Sequence, residues 1–164
     1  MTKGTLPSTP ALRVLRDAGV AFEACPYRYE ARGGTRVSAR ELGVDEHLVI
    51  KTLVLRADTG DAMLVLMHGD REVSLKALAR MQTVRAVVPC DEKEAHRLTG
   101  YLFGGTSPFG TRRPLPVYAE QTIRELPRIY INGGARGLLV GLAPVVLTSL
   151  LTVTWVSVAA ARDA

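Results

Sequence analysis

Apolar positions along this chain come in short runs whose spacing switches repeatedly between the helical and the extended period. Leu12, Val14, Leu15 and Ala18 form the apolar face of a helix that starts at Ser8 or Thr9, carries Pro10 in its first turn and stops at Gly19. Val20 to Tyr27 then reads as a strand cut by Pro26. Arg28 to Arg36, with Gly33-Gly34 and several charges, reads as a mobile surface loop. Ser38 and Glu41 have the spacing of a capping box, with Val37 and Leu42 as a hydrophobic staple, which predicts a short helix ending at Gly43.

Leu48 to Leu55 is a continuous apolar run interrupted by Lys51-Thr52, and its Val and Ile content predicts a strand buried on both faces. Asp58-Thr59-Gly60 supplies a hairpin turn and Met63 to Met67 the return strand. Ser74 caps a helix bearing Leu75, Leu78 and Ala79; Val84 to Val88 is a strand; Asp91 with Glu94 caps a helix that Gly100 ends. The stretch Thr99 to Gly110 holds four glycines and Pro108 among aromatic and hydroxyl residues, so neither regular structure suits it. It is either a shaped loop, with Tyr101, Phe103 and Phe109 as apolar walls around a ligand, or a hairpin or bulge in which the glycines only solve turn geometry. Pro114-Leu115-Pro116 forces an extended exit, and Arg128 to Asn132 is a strand turning at Gly133-Gly134.

Gly137 to Ala161 carries no charge and is long enough to raise a membrane span as an alternative. Its glycine, proline and hydroxyl interruptions instead predict a buried strand over Leu138 to Leu142, a short helix from Pro144, and a second strand over Thr152 to Val158. Short strands alternating with short helices point to a mixed α/β (α+β) fold. At 164 residues, one domain spanning 1–164 suffices, with 47% hydrophobic and 23% charged residues.

A net charge of +5 favours polyanionic partners. Cys25 and Cys90, the two cysteines, form no C-x-x-C pair, which excludes a disulfide framework and suits a reducing cytoplasm. Met1 to Pro10 has no apolar core of a secretory signal. His47, His68 and His96 are scattered, so neither a metal site nor a serine-type triad is expected; His68, at a strand end beside a Gly-Asp turn, is the histidine of most interest. Neither phosphate-binding fingerprint is present, and no cofactor is expected.

What remains is a lysine in an apolar strand, two glycine-rich turns and a basic surface. Lysine is rarely buried unpaired, so Lys51 snorkels out, pairs with a carboxylate or lines a polar cavity. In the last case it grips a phosphate or ribose while amides of the glycine loop polarise a carbonyl. No general base is evident.

Three segments, Ile50-Lys51-Thr52-Leu53, Thr99 to Gly110 and Ile129 to Gly137, together resemble the signature segments of the YbaK/EbsC family. That family includes Cys-tRNA(Pro) deacylases and is related to the editing domain of bacterial prolyl-tRNA synthetases. The resemblance implies a mixed β-barrel-like sheet flanked by short helices, and hydrolase- or lyase-type removal of a wrong amino acid from tRNA. It assigns Lys51 to orienting the 3′-terminal nucleotide and Gly104 to approaching the substrate ester through its backbone. Thr52, Tyr101, Gly105, Asn132 and Gly133 complete the implied substrate-binding set.

Asn132 stands where family members usually carry serine, and Leu139 where they usually carry aspartate. The loop Arg28 to Arg36, with Gly33-Gly34, lacks the aromatic residue often found in that part of the family pocket. The loss of a carboxylate at Leu139 makes the implied pocket more apolar and favours a small aliphatic aminoacyl group, which counts against strict cysteine specificity more than against tRNA deacylation. The resemblance thus implies a trans-editing deacylase for mischarged tRNA, with aminoacyl-tRNA and prolyl-tRNA synthetase as partners. The alternatives are a catalytically inactive RNA-binding or synthetase-associated module of the same fold, or attachment of the apolar tail to a membrane or partner. Oligomeric state is not legible.

Overall fold

In the computed structural model, which describes residues 6–162, the first helix, α1 (Pro10–Asp17), begins as its sequence predicts. The Thr9 hydroxyl accepts from Leu12 N, a cap worth about 1 kcal/mol, and Leu12 and Leu15 are fully buried. Ala18 falls outside the apolar face and is exposed. The part of the Met1–Pro10 stretch in residues 1–5 lies outside the described residues.

β1 (Glu23–Pro26) leads into α2 (Gly34–Leu42). Here the capping-box expectation fails. The helix starts five residues earlier, with Gly33 in place of Ser38 as its cap, and Ser38 is buried inside it, donating to Thr35 O at 3.2 Å. Val37 is therefore a core contact rather than a staple, and the last three residues of the expected mobile loop, Gly34 to Arg36, are helix. Gly43 does end it, in the left-handed conformation (φ 67°).

β2 (Val49–Ala57) and β3 (Ala62–His68) form the predicted hairpin, paired from Ile50↔His68 to Arg56↔Ala62. A short β4 (Arg71–Val73), absent from the sequence pattern, precedes α3 (Leu75–Gln82), which Ser74 caps through Ala77 N. β5 is only Val87–Pro89, because Val84 N closes the end of α3 on Ala79 O and the amides of Arg85 and Ala86 donate to Asp58 Oδ1. Asp91 caps α4 (Glu92–Thr99) through Glu94 N, and Gly100 ends it. After the glycine-rich loop come β6 (Val117–Glu120), β7 (Ile129–Ala135), β8 (Leu138–Leu142), α5 (Val145–Leu150), β9 (Val153–Val156) and β10 (Ala159–Ala161). Gly133-Gly134 is not the turn: β7 runs through it with a register shift between Asn132 and Ala135, and the chain reverses at Arg136-Gly137. The uncharged stretch is thus two strands around a six-residue helix, and no helix among the described residues is long and apolar enough to cross a membrane.

The mixed sheet has the order β1-β8-β7-β2-β3-β6-β9, with β5 also on β2, and β10 pairs β4 in a separate ribbon. β2 decides where a site can form. One of its edges is filled by β3. The other is shared: β7 runs parallel to it at Val49 and Ile50, and β5 antiparallel from Leu55 to Ala57. Between these two neighbours, Lys51 to Leu53 have no strand beside them on that edge. The main core, with Leu12, Leu64, Leu66, Phe109 and Ile131, packs against the sheet. A second cluster around Met63, Met67 and Leu78 lies under α3, and a third joins Cys25, Ala39, Val49 and Leu139.

Candidate active site

The gap along β2 opens onto a cavity of about 1030 Å³, at the upper end of the range for small-molecule sites. Strand geometry turns successive backbone groups to opposite edges. Val54 O accepts from Cys90 N on the gap side, so the amide and carbonyl of Thr52 face the gap as well. The Thr52 hydroxyl is buried and has no hydrogen-bonding partner among the described residues. A hydroxyl in that condition costs free energy until something bonds it.

Lys51 lines the same cavity with its side chain 20% exposed, and its ammonium stands 3.8 Å from Glu72 Oε1 on β4. Two of the three alternatives for a lysine in this strand therefore hold together: it is paired and it faces a cavity. The ion pair is long and its carboxylate half exposed, so it leaves the ammonium open to a ligand. Burial pulls the ammonium below its ordinary pKa, and Glu72 acts against that pull.

Gly104 reaches the cavity on a tight turn. Gly105 N donates to Leu102 O at 2.9 Å, Gly104 has φ +84° and Phe103 has a negative φ, which makes Leu102 to Gly105 a type II turn. In this geometry the Phe103 carbonyl and the Gly104 N–H point to opposite sides of the turn. Arg136 Nε donates to that carbonyl at 2.8 Å, and no protein acceptor among the described residues meets the Gly104 N–H. Asn132 Nδ2 donates to Gly104 O at 2.9 Å, while its Oδ1 accepts from Gly134 N at 2.7 Å in the bulge of β7. The Arg136 guanidinium also lies 5.5 Å from the ring centroid of Tyr29, which packs against Gly104.

Lys51, Thr52, Gly104 and Asn132 thus meet at one cavity. Tyr101, Gly105 and Gly133 stand behind it rather than in its wall. Tyr101 is buried; its hydroxyl donates to Phe109 O at 2.6 Å, and burial pushes its pKa up to about 12. Gly105 lets two loops touch, since a Cβ there would stand 3.0 Å from Arg136 N. Gly133 is buried, its carbonyl accepting from the Thr9 hydroxyl at 2.6 Å. Of the three aromatic residues expected as walls, Phe103 is one, and Phe109 is core. Leu139 contributes an apolar wall backed by Val49 and Cys25.

Tyr27 and Tyr29 also line the cavity, so an aromatic side chain does come from the segment Arg28 to Arg36. Their alternate spacing after a strand was the available signal. Glu46 and Arg162 line it too, and no local pattern marks either.

The histidines are not all scattered. His47 and His68 stack with centroids 3.8 Å apart and planes 5° from parallel. His47 Nδ1 lies 2.8 Å from Asp70 Oδ1, and His68 bridges the His47 carbonyl (2.8 Å) and the Thr122 hydroxyl (2.7 Å). Since a carbonyl only accepts, His68 carries its proton on Nδ1 and takes the Thr122 proton at Nε2. This pair lies outside the cavity lining. Cys90 does line the cavity, but burial and then Glu94 push its thiol up to about 11, which leaves no thiolate for nucleophilic attack. Among the described residues no three His, Cys, Asp or Glu side chains are grouped to hold a metal.

Comparison with known proteins adds four findings. The aminoacyl-tRNA editing domain family matches residues 33–150. The chain is 28% identical over 149 residues to EbsC of Enterococcus faecalis, named as a candidate Cys-tRNA(Pro)/Cys-tRNA(Cys) deacylase, covering 90% of this chain and 91% of that protein. It is 32% identical over 95 residues to the proline--tRNA ligase of Desulfotalea psychrophila, which is 58% of this chain and 16% of the ligase. A solved structure, described as a candidate trans-editing enzyme for prolyl tRNA synthetase, superimposes with a TM-score of 0.80 at 22% identity, covering 96% of this chain and 100% of that one. At that identity the likeness concerns the fold.

Proposed function

This chain belongs to the aminoacyl-tRNA editing domain family, and from that premise we propose that it is a trans-acting aminoacyl-tRNA deacylase, one editing domain spanning the chain. Its proposed substrate is a tRNA mischarged with a small amino acid, foremost cysteine on tRNA(Pro). The name of the E. faecalis relative supports that choice, and the similarity to proline--tRNA ligases supports prolyl-tRNA synthetase as the source of the errors. Such correction is needed because a synthetic pocket gains only about 1–3 kcal/mol per methylene, too little to exclude near-isosteres.

The observation that carries this reading is the meeting of an ammonium, the open backbone edge of Thr52 and an unbonded Gly104 amide at one cavity. Lys51 holds the ribose-phosphate of the 3′-terminal nucleotide, and the open backbone edge of Thr52 bonds the same end of the substrate. The Gly104 N–H donates to the ester carbonyl oxygen as negative charge builds on it. Arg136 and Asn132 hold the two carbonyls flanking that amide, so the donor is oriented before substrate arrives. An aminoacyl ester is already activated, so positioning and polarisation suffice without a protein nucleophile. With cysteine, the substrate sulfur bonds to the carbonyl carbon as the ester C–O bond breaks, and the thiol proton ends on the released ribose hydroxyl; otherwise water attacks. Leu139 and Tyr27 leave the side-chain end of the cavity largely apolar, which suits a small side chain.

A deacylation panel over several mischarged tRNAs, run with wild type and Lys51→Ala, tests this. Release of amino acid by wild type and its loss in Lys51→Ala are expected. Equal rates for the two proteins remove Lys51 from the mechanism. Salt-sensitive tRNA binding with no turnover on any substrate replaces the enzyme with an RNA-binding module.

A further inference from the structure

The family match ends at residue 150, yet the chain beyond it completes the cavity wall. After β9, the buried carboxylate of Glu120 accepts from Val158 N at 2.6 Å and Ala159 N at 2.8 Å. Those two bonds steer the arm so that β10 pairs with β4, the strand that carries Glu72. The arm then delivers Arg162 to the wall that holds Lys51.

The guanidinium of Arg162 is fixed on one edge only. Nη1 and Nη2 donate to the two oxygens of Glu46 at 2.7 and 3.0 Å, and Nη1 also reaches Gly69 O at 3.3 Å. Thr35 donates to the same carboxylate at 2.8 Å, so Glu46 is itself held in place. A guanidinium has a second fork, made by Nε–H and the outer Nη2–H, that matches two oxygens of one anion. Among the described residues no acceptor meets that fork, and the side chain is 31% exposed. The cavity lining carries five basic side chains, Lys51 and Arg162 among them, against four glutamates, a net of one positive charge.

We infer that Arg162 is a substrate-binding residue, its free fork taking a phosphodiester of the tRNA acceptor end beside Lys51. This rests on the reading of the cavity as the acceptor-end site. Glu46 occupies the other edge and so preorganises the fork, and the arm after α5 is a working part of the site.

The test is binding of an acceptor-stem minihelix bearing an amide-linked cysteine at its 3′ end, followed by fluorescence anisotropy across a salt series. Using an amide makes binding independent of turnover. Arg162→Met is expected to weaken Kd about tenfold, the scale of one charge-assisted hydrogen bond, and to flatten the slope of log K against log salt by about 0.7, one phosphate contact on a single strand. The double variant Glu46→Gln/Arg162→Met stays equally weak if the lost phosphate contact is the cause. Recovery in the double variant assigns the loss to a stranded Glu46 and overturns the inference, as does an unchanged Kd and slope in Arg162→Met. Thermal unfolding checks each protein; if Arg162→Met does not fold, Arg162→Lys, which keeps a cation for Glu46 but has no second fork, takes its place with the same expectations. Wild type that binds the minihelix through Arg162 yet releases nothing from ester-linked tRNA overturns deacylation alone. No binding by wild type overturns both.

Discussion

Replacing Gly104 by alanine separates backbone geometry from side-chain crowding at the turn that presents the amide. At φ +84° an L-residue costs about 1–2 kcal/mol. The added Cβ would stand 2.9 Å from Tyr29 Oη and 3.2 Å from its Cε2, but these atoms are the far end of a side chain that can swing aside. The stability loss is therefore set by the backbone, and for a chain of this size it lowers Tm by roughly 2–8 °C. Catalysis loses more. Displacing the Tyr29 ring uncouples it from Arg136, and an altered turn misdirects the Gly104 N–H, for which a fall in kcat/KM of about 10²–10³ is expected. Gly110→Ala is the contrast: its Cβ meets Pro10 backbone atoms at 2.8 and 2.9 Å, which cannot step away, so it destabilises more than Gly104→Ala. Circular dichroism melts beside deacylation of mischarged tRNA read both quantities. A Gly104→Ala protein with wild-type Tm, or one that is less stable but equally active, refutes the role given to this turn.

Tyr101→Phe removes the buried hydroxyl bond to Phe109 O and should cost about 1–2 kcal/mol in denaturant unfolding, with no such loss if the phenol is a surface group. His68 is held below its ordinary pKa of 6.5 by burial, so the folded protein binds fewer protons there than the unfolded chain. Stability should fall as pH drops below 6.5, and His68→Gln should flatten that limb of a urea-stability profile; an unchanged limb assigns it to other groups. Cys25 and Cys90, both pushed up to about 11 mainly by burial, should resist a thiol reagent at neutral pH in native protein and react on unfolding; fast native labelling would contradict their burial.

Where local chemistry decides structure, the sequence was readable. Thr9, Ser74 and Asp91 are helix caps, Gly43 and Gly100 helix ends, and Asp58-Thr59-Gly60 a hairpin turn, each using residues within a few positions of one another. The capping box at Ser38 misled because the same residue types are compatible with a helix interior, where Ser38 bonds back to Thr35 O. β4, β6 and β10 escaped notice since three or four residues carry too little periodicity, and their pairing partners lie far off in sequence. The candidate site was legible as far as Lys51, Thr52, Gly104 and Asn132, through the spaced segments. Tyr101 looked like a wall because an aromatic beside glycines fits a pocket as well as a core, and only packing distinguishes them. The stacking of His47 on His68 and the reach of Arg162 to Glu46 depend on tertiary folding, which no spacing encodes.

The split edge of β2 also bears on how the protein comes into being. One boundary of the gap is a parallel pairing with β7, and Gly104 and Asn132, which meet at its rim, are 28 residues apart. Such nonlocal pairings form late and slowly, because loop-closure entropy must be met before they stabilise anything. A nascent chain that has made its hairpin but not yet its seventh strand holds Lys51 without a chamber around it. Activity should therefore emerge in a single step with the completed sheet, and proteolytic fragments should have none.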